Sequence, residues 1–368
     1  MRYNYRSSPK QAESVYCSLF MTAAEQYMER CLELAKYGAG YVAPNPMVGA
    51  VLVYQDRIIG EGYHQQYGQA HAEVNCIAAV KEADRHVIPS ATLYVSLEPC
   101  AHVGKTPPCT DLIIQQKIPK VVIACRDPFK EVNGRGIEKL KMAGVEVVTG
   151  VLEKKAEELN RRFFTFHTLQ RPYIILKWAQ TANGKISNAN TDRLFISNEY
   201  SNRLVHKWRS EESAILVGTN TALADNPELT NRFWTGPSPV RLVIDKKLQL
   251  PTSLNIFNRE QPTIVFNHLR HEQTENLTYY QLEAGKPLIQ QVVQALYLLN
   301  VQSVLVEGGA ILLQSLIDAN LWDEARIITN TELIIPAGTA APAWKKNVFI
   351  VNKQQLQNDT ITTLRPVR

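Results

Sequence analysis

A small set of histidine, glutamate and cysteine residues constrains this chain more than any other feature of its sequence. The triplet His71-Ala72-Glu73 is followed by Pro99-Cys100 and, nine positions after Cys100, by Cys109. One imidazole and two thiolates can fill three of the four tetrahedral positions on Zn²⁺ and leave the last for a water whose pKa the metal lowers to about 7. The pattern therefore predicts one catalytic zinc ion per chain, bound by His71, Cys100 and Cys109.

Glu73 stands where zinc deaminases, with their His-x-Glu and Pro-Cys pattern, carry a glutamate that binds no metal but moves protons to the leaving ammonia. Their two cysteines lie closer together, so the loop at residues 101–108 requires its own explanation. Residues i and i+2 point to different sides of a helix, so His71 and Glu73 can serve one ion only at a helix's first turn. A structural zinc site or no metal are the alternatives, and a structural site would need a fourth protein ligand, for which His102 is the near candidate.

The composition indicates a globular protein with more than one domain. A chain of 368 residues is longer than a single hydrophobic core usually supports, and its composition of 45% apolar and 20% charged residues is that of a globular protein. Its net charge of +5 suits phosphorylated substrates, but the 35 interspersed acidic residues give no argument for nucleic acid. Six cysteines without paired spacing outside the zinc pattern indicate a reducing compartment, so we predict a cytoplasmic protein. No apolar run reaches about 18 residues, so no membrane span is expected. Residues 1–20 do not resemble a signal peptide, and Met21 is a candidate start.

Hydrophobic periodicity in the first half predicts helices alternating with strands. A helix is predicted over residues 23–35, and strands over residues 48–54, 57–63, 91–97, 120–125 and 145–149. This alternation predicts an α/β/α sandwich with the metal at strand-to-helix junctions. The hairpin at 48–63 delivers His64 toward the zinc helix. Asn45 lies between two prolines that fix the backbone and leave its amide for a ligand, although a plain turn is an equal alternative.

The second half also predicts an α/β unit. Strands are predicted over residues 173–178, 214–217, 241–245, 263–266 and 304–306, after a charged helical connector at 151–170. The last strand runs into Glu307-Gly308-Gly309-Ala310, where paired glycines before a helix would let the backbone approach a pyrophosphate. A tight turn is the commoner explanation of such a pair, and no G-x-G-x-x-G fingerprint is present.

Further residues carry a family resemblance. They are the segment Pro44-Asn45-Pro46-Met47-Val48-Gly49, the Gly-Lys-Thr-Pro-Pro loop between the cysteines, and Asp127, Pro128, Asn133, Gly134, Gly136 and Ile137. With the zinc pattern they resemble the bifunctional riboflavin-biosynthesis deaminase/reductase family over nearly the whole chain from about residue 23. The resemblance implies a cytidine-deaminase-like pyrimidine deaminase domain at 22–150, the connector at 151–170, and a dihydrofolate-reductase-like domain at 171–368 that binds NADPH.

The resemblance also implies the site residues. The deaminase substrate would meet Asn45, His64, His102, Lys105 and Thr106, with Lys105 as a point charge for the ribose phosphate. The cofactor would meet Ala179, Phe195, Thr221, Asp225, Gly309, Ala310, Ile311, Leu312, Leu313, Gln314 and Ser315. The reductase substrate would meet Lys177, Arg193, Arg209, Leu229, Arg232 and Glu307. Arg193 stands where the family commonly has Ser, and Phe195 where it has Trp.

The resemblance implies an enzyme that deaminates a phosphorylated ribosylaminopyrimidine and then reduces its ribosyl group to ribityl with NADPH. It also leads us to expect a homo-oligomer that binds neither nucleic acid nor membranes. The alternative enzyme is a zinc-dependent RNA or nucleoside deaminase with an accessory domain, which would need a basic surface interleaved with aromatics. A zinc-stabilised scaffold without activity is the remaining alternative.

Overall fold

The computed structural model describes residues 21–102, 107–189 and 194–367, and it divides into two units at Arg161 and Arg162. The segment 151–170, predicted as a connector, contains the helices Glu153–Leu159 and Arg161–Leu169, and the division falls in the first turn of the second. Within the described ranges, every helix is too short or too polar to cross a bilayer.

The described residues of the first unit form a five-stranded mixed sheet with helices on both faces. The elements in chain order are α1 (Ala23–Ala35), β1 (Gly49–Tyr54), β2 (Arg57–Tyr63), α2 (Ala72–Ala78), β3 (Thr92–Leu97), α3 (Cys109–Gln115), β4 (Lys120–Cys125), α4 (Arg135–Met142), β5 (Glu146–Thr149) and α5 (Glu153–Leu159). The segments Lys36–Gly38 and Glu82–Ser90 are 3₁₀ helices. The strands have the order β2-β1-β3-β4-β5, in which β1 pairs antiparallel with β2 and β3, while β3, β4 and β5 are parallel.

Helix α1 begins at the residue that the sequence predicts because Thr22 and Glu25 form a capping box. The Thr22 hydroxyl accepts a hydrogen bond from the Glu25 amide at 3.2 Å, and the Glu25 carboxylate accepts one from the Thr22 amide at 2.8 Å. The predicted hairpin is confirmed as well, turned by Gln55 and Asp56 in left-handed conformations.

Two glycines allow helices to press on opposite faces of the β1–β2 hairpin. A Cβ atom on Gly49 would lie 2.0 Å from the carbonyl oxygen of Cys31 in α1, and one on Gly62 would lie 2.2 Å from the amide nitrogen of Cys76 in α2. Since Gly62 pairs with Ala50, the neighbour of Gly49, the two contacts lie on opposite faces of the sheet. The predicted α/β/α layering is therefore confirmed, and it places α2 directly against the sheet.

The described residues of the second unit form a ten-stranded sheet with helices on both faces, and a small two-stranded sheet. The strands are β6 (Tyr173–Gln180), β7 (Lys185–Asn188), β8 (Ala214–Gly218), β9 (Val240–Ile244), β10 (Thr263–Asn267), β11 (Glu272–Thr274), β12 (Leu277–Gln281), β13 (Ser303–Val306), β14 (Glu324–Asn330), β15 (Gly338–Ala340), β16 (Val348–Leu356) and β17 (Asp359–Pro366). The helices are α6 (Arg161–Leu169), α7 (Glu199–Glu211), α8 (Thr219–Asp225), α9 (Leu288–Leu298) and α10 (Ala310–Asp318), with a 3₁₀ turn at Asn255–Phe257.

The large sheet has the strand order β11-β12-β10-β9-β8-β13-β6-β14-β17-β16, and its strands are parallel from β12 to β14. The small sheet pairs β15 with β7.

Both faces of the large sheet are covered, as parallel strands require. Ile174, Leu176 and Trp178 of β6 pack with α9 and α10, whereas Tyr173 and Ile175 of the same strand pack with α7 on the other face. The carboxyl ends of β6, β8 and β13 lie side by side, and the second candidate site lies at these ends.

Candidate active sites

The three predicted zinc ligands converge at helix and strand ends in the first unit. His71 is the N-cap residue of α2, Cys109 is the first residue of α3, and Cys100 follows β3. His71 Nδ1 lies 3.6 Å from Cys100 Sγ and 3.4 Å from Cys109 Sγ, and all three donor atoms lie within 4.8 Å of one another. A tetrahedral Zn²⁺ with ordinary bond lengths separates a nitrogen from a sulfur ligand by about 3.5 Å. The donor set therefore fits this ion.

The electrostatics of the cysteine pair also favour a cation. Hydrogen bonds from Cys109 and His71 lower the pKa of the Cys100 thiol to about 4, and the Cys109 amide adds a bond to the Cys100 sulfur at 3.3 Å. The pKa of Cys109 is raised, because its thiol donates a hydrogen bond to Cys100 and is buried near Glu73. These shifts favour the thiolate form of Cys100, which is the form that binds metal.

Glu73 lies in the first turn of α2, two residues from His71, with 3% of its surface exposed. Burial, followed by the charge of the Cys100 sulfur, raises the pKa of the Glu73 carboxyl. A buried carboxyl group beside the donor set, with its pKa raised, holds a proton more readily than a free glutamate, as a group that takes and returns a proton must. The helix start predicted around His71 and Glu73 is confirmed.

His64 and Asn45 form a hydrogen-bonded pair beside His71. His64 Nδ1 lies 3.0 Å from the carbonyl oxygen of Ala70, which can only accept, so Nδ1 carries the proton and Nε2 accepts from the Asn45 amide at 3.1 Å. The His64 and His71 rings meet edge to face, with centroids 5.3 Å apart. Burial lowers the pKa of His64, which favours the neutral ring that this hydrogen bonding requires. The hairpin therefore brings His64 to the donor set, as predicted.

The loop between the cysteines is described only at its two ends. His102 packs edge to face on Phe129, with centroids 6.1 Å apart, and its buried Nδ1 has no hydrogen-bond partner among the described residues. His102 is not part of the three-residue donor group. Lys105 and Thr106 lie outside the described residues.

Glu98, which was not identified from the sequence, binds the segment before Cys100 to the loop at residues 126–137. This carboxylate, 4% exposed, accepts hydrogen bonds from four backbone amides at 3.0 to 3.2 Å. The donors are Asp127, Gly134, Gly136 and Ile137. Its position two residues before Cys100, together with the glycine-rich segment after β4, was the available signal. Glu98 thus joins the cysteine loop to the 126–137 loop.

Glu98→Gln is expected to destabilise the first unit by about 2–4 kcal/mol, because the amide NH₂ would face backbone N–H groups that need an acceptor. Thermal unfolding would measure the loss, and zinc release to a chelator should become faster. Glu131→Gln, an exposed change on the same loop, is the matched control. Unchanged unfolding and zinc release in Glu98→Gln would contradict this role.

The second unit contains a partly buried ionic cluster near the carboxyl ends of β6 and β13. Arg209 donates to both carboxylate oxygens of Glu307 at 2.8 and 2.9 Å, and Lys177 donates to the same carboxylate at 3.3 Å. Although burial opposes ionisation, Arg209 and Lys177 lower the pKa of Glu307 to about 2. The cluster therefore carries a net charge of one positive unit, which suits a phosphorylated ligand.

The paired glycines lie beside this cluster, at the junction of β13 and α10. Gly309 is the N-cap residue of α10, and its amide donates to the Thr221 hydroxyl of α8 at 2.9 Å. Phe195 and Ile311 are 77% and 78% exposed and offer apolar surface, whereas Leu312 and Leu313 are core residues that could offer only their backbone. Ala179 is partly buried, Asp225 ends α8, and Gln314 and Ser315 lie farther along α10.

Of the residues predicted to bind the reductase substrate, only Lys177, Arg209 and Glu307 contact one another in the described part of the chain. Leu229 is buried with a left-handed backbone, so its side chain packs in the core. Arg232 is paired with Glu228 on an exposed loop. Arg193 lies outside the described residues.

Comparison with known proteins matches each unit separately. Residues 21–125 match the family described as the cytidine and deoxycytidylate deaminase zinc-binding region, and residues 172–334 match the RibD C-terminal domain. The riboflavin biosynthesis proteins RibD of Aquifex aeolicus and Bacillus amyloliquefaciens are 42% and 39% identical to this chain. The alignments cover 81% and 87% of this chain and 84% and 87% of those proteins, respectively.

Solved structures give the same result. A diaminohydroxyphosphoribosylaminopyrimidine deaminase/5-amino-6-(5-phosphoribosylamino)uracil reductase from Thermotoga maritima is 35% identical, with a TM-score of 0.84, covering 94% of this chain and 99% of that one. RibD of Acinetobacter baumannii is 31% identical, with a TM-score of 0.85 and the same coverage. Because relatives above 30% identity align over both units and most of their own length, the chain belongs to the RibD family of bifunctional riboflavin-biosynthesis deaminase/reductases.

Proposed function

We propose that this deaminase and reductase acts on the substrates named for the Thermotoga relative. The first unit would deaminate the diaminohydroxyphosphoribosylaminopyrimidine, and the second would reduce the ribosyl group of the resulting 5-amino-6-(5-phosphoribosylamino)uracil to ribityl. The observation that carries the proposal is the convergence of His71, Cys100, Cys109 and Glu73 in the unit that matches the deaminase region. The RNA deaminase alternative is less supported, because the second unit matches the RibD C-terminal domain.

In the first unit, His71, Cys100 and Cys109 would hold one zinc ion. Zinc supplies Lewis acidity that makes a water nucleophilic near neutral pH. The described residues bring together three protein donors, one fewer than a structural zinc site uses, which supports a catalytic site. Glu73 would take the proton from the attacking water and return it to the departing amine. Its burial supports this role, since the raised pKa favours proton return.

The remaining deaminase residues would orient the substrate. Asn45 uses one amide hydrogen on His64, so its carbonyl oxygen and second hydrogen can meet the pyrimidine. His64, protonated on Nδ1, would fix Asn45 and the edge of His71. His102, Lys105 and Thr106 would surround the ribose phosphate, with Lys105 as the charge.

In the second unit, NADPH would supply the hydride. Thr221 and Gly309 would help to hold the cofactor, because the amide-bearing end of α10 favours negative charge such as that of phosphates. Phe195 and Ile311 would offer apolar contacts. Ala179, Asp225 and the rest of residues 310–315 would complete the contact. Lys177, Arg209 and Glu307 would orient the ribosyl group, and Arg232, with Arg193 and the backbone of Leu229, would bind toward the phosphate.

The proposal is tested by incubating the protein with the phosphorylated diaminopyrimidine, with and without NADPH. Ammonia and the deaminated pyrimidine should accumulate without NADPH, and one NADPH should be consumed per ribityl product when it is added. NADH in place of NADPH tests the choice of cofactor. Reduction of the substrate before ammonia appears would contradict the proposed order of deamination before reduction, and absence of ammonia release would contradict the deaminase assignment.

The domain limits, the homo-oligomer and the cytoplasmic location stay predictions.

A further inference from the structure

Helix α7 holds the loop that carries Arg232 through two side chains on one face. This loop, residues 229–238, follows α8 in the chain. Arg209 Nη1 donates to the carbonyl oxygen of Thr230 at 3.1 Å, and His206 Nδ1 accepts from the backbone amide of Arg232 at 2.9 Å. His206 and Arg209 are three residues apart, so both project from the same side of the helix. The helix therefore fixes the two peptide groups that flank Asn231.

The loop is also hydrogen-bonded within itself. The Asn231 amide group donates to the carbonyl oxygens of Trp234 and Gly236 at 2.8 and 3.0 Å, and its backbone amide donates to Ser238 Oγ at 3.1 Å. Helix α7 also contacts the loop through Lys207, whose Nζ lies 5.5 Å from the centroid of the Trp234 ring. The peptide groups beside Asn231, however, bond to the helix through Arg209 and His206.

The hydrogen bond that the Arg232 backbone amide donates to His206 Nδ1 requires a neutral imidazole with its proton on Nε2. The imidazole is only 2% exposed, and the Phe233 ring packs on it edge to face with centroids 4.6 Å apart. Burial lowers the pKa of His206 to about 4, and the positive charges of Arg209, Arg232 and Lys177 act in the same direction. The negative charge of Glu307 opposes them in part. At neutral pH, His206 Nδ1 therefore has a lone pair that can accept the hydrogen bond from the Arg232 backbone amide.

We propose that His206 is a positioning residue that fixes the backbone of Arg232 and so sets the affinity of the reductase for the phosphate end of its substrate. The inference rests on the proposed function, in which Arg232 binds toward that phosphate. Arg232 is half exposed and its guanidinium pairs with Glu228, just before the loop, so the side chain alone does not fix its place. The bond to His206 fixes the backbone from which that side chain projects.

The test compares His206→Leu, which removes the acceptor, with His206→Asn, whose Oδ1 can replace Nδ1 as an acceptor. Reductase KM and kcat are measured in the full chain with NADPH, using the deaminated pyrimidine and its dephosphorylated analogue. His206→Leu should raise KM for the phosphorylated substrate by about tenfold, the effect expected for one buried donor left without a partner, with little change in kcat. His206→Asn should recover most of the loss, and the analogue should respond to neither change.

The same measurements in an Arg232→Ala background decide whether His206 acts through Arg232. There, His206→Leu should have no further effect on KM. If Arg232→Ala is selective for the phosphate but His206→Leu adds its full loss to it, the positioning role is overturned while the proposed function stands. If Arg232→Ala shows no phosphate selectivity, the proposed role of Arg232 fails and the inference fails with it.

A measurement on the wild type keeps the inference testable if His206→Leu does not fold. Histidine labelled with ¹⁵N should show His206 protonated on Nε2 alone between pH 5.5 and 8. A proton on Nδ1 in this range would overturn the inference, since that atom could not then accept from Arg232.

Discussion

Glu73→Gln is expected to lower deamination by roughly 10²–10⁴-fold while zinc binding and reduction persist. Gln has nearly the shape of Glu and keeps hydrogen-bonding capacity, but it cannot accept and return a proton at neutral pH. The side chain is buried in the first turn of α2 beside the donor set, and the donor group of His71, Cys100 and Cys109 does not include it. Ammonia release measures the loss.

Two controls separate chemistry from structure in this variant. Zinc content per chain should equal that of the wild type, and reduction of pre-deaminated substrate should be unchanged because it takes place in the second unit. A variant that loses zinc would make Glu73 a ligand or the support of one. A variant that deaminates within a fewfold of the wild type would remove Glu73 from the mechanism.

Removal of the metal should abolish deamination and spare reduction. Cys100→Ser replaces the thiolate that both Cys109 and His71 contact, so zinc should fall from one per chain to a small fraction of that value. A chelator acting on the wild type should give the same selective loss, restored by added Zn²⁺. Zinc content and the two activities are measured on the same samples.

Cys76→Ser is a matched control, since Cys76 is a buried cysteine of α2 outside the donor group. It should keep its zinc. Undiminished zinc in Cys100→Ser would overturn the ligand assignment, and joint loss of both activities in a folded protein would indicate one composite site.

The zinc pattern and the first unit could be predicted from sequence because their signals are local. The helix at Ala23–Ala35 and the strand at Lys120–Cys125 have the predicted bounds, since a capping box and a short apolar run fix them. The convergence of His71 with Cys100 and Cys109 followed from a known ligand pattern. The four amide bonds to Glu98 did not, because they depend on how two loops meet after folding.

The end of the second unit shows the opposite case. No strand was predicted after residue 306, yet β14, β16 and β17 complete the large sheet. The buried Glu324 and Arg326 interrupt the apolar pattern of β14, and most of the edge strand β16 is exposed, so neither shows the alternation that marks a strand. The proposed reductase site was likewise predicted only by resemblance, because Lys177, Arg209 and Glu307 are far apart in sequence.

Gly49 and Gly62, which allow α1 and α2 to pack closely on the β1–β2 hairpin, should give different phenotypes when each is replaced in a genetic screen. A side chain at Gly49 would push against α1, which carries no proposed site residue, so its alleles should score as loss of protein abundance. A side chain at Gly62 would meet the Ala72 carbonyl oxygen as well as Cys76, and Ala72 lies between His71 and Glu73. Alleles at Gly62 should therefore mimic catalytic defects even when the protein accumulates, although this glycine touches no substrate in the proposed mechanism.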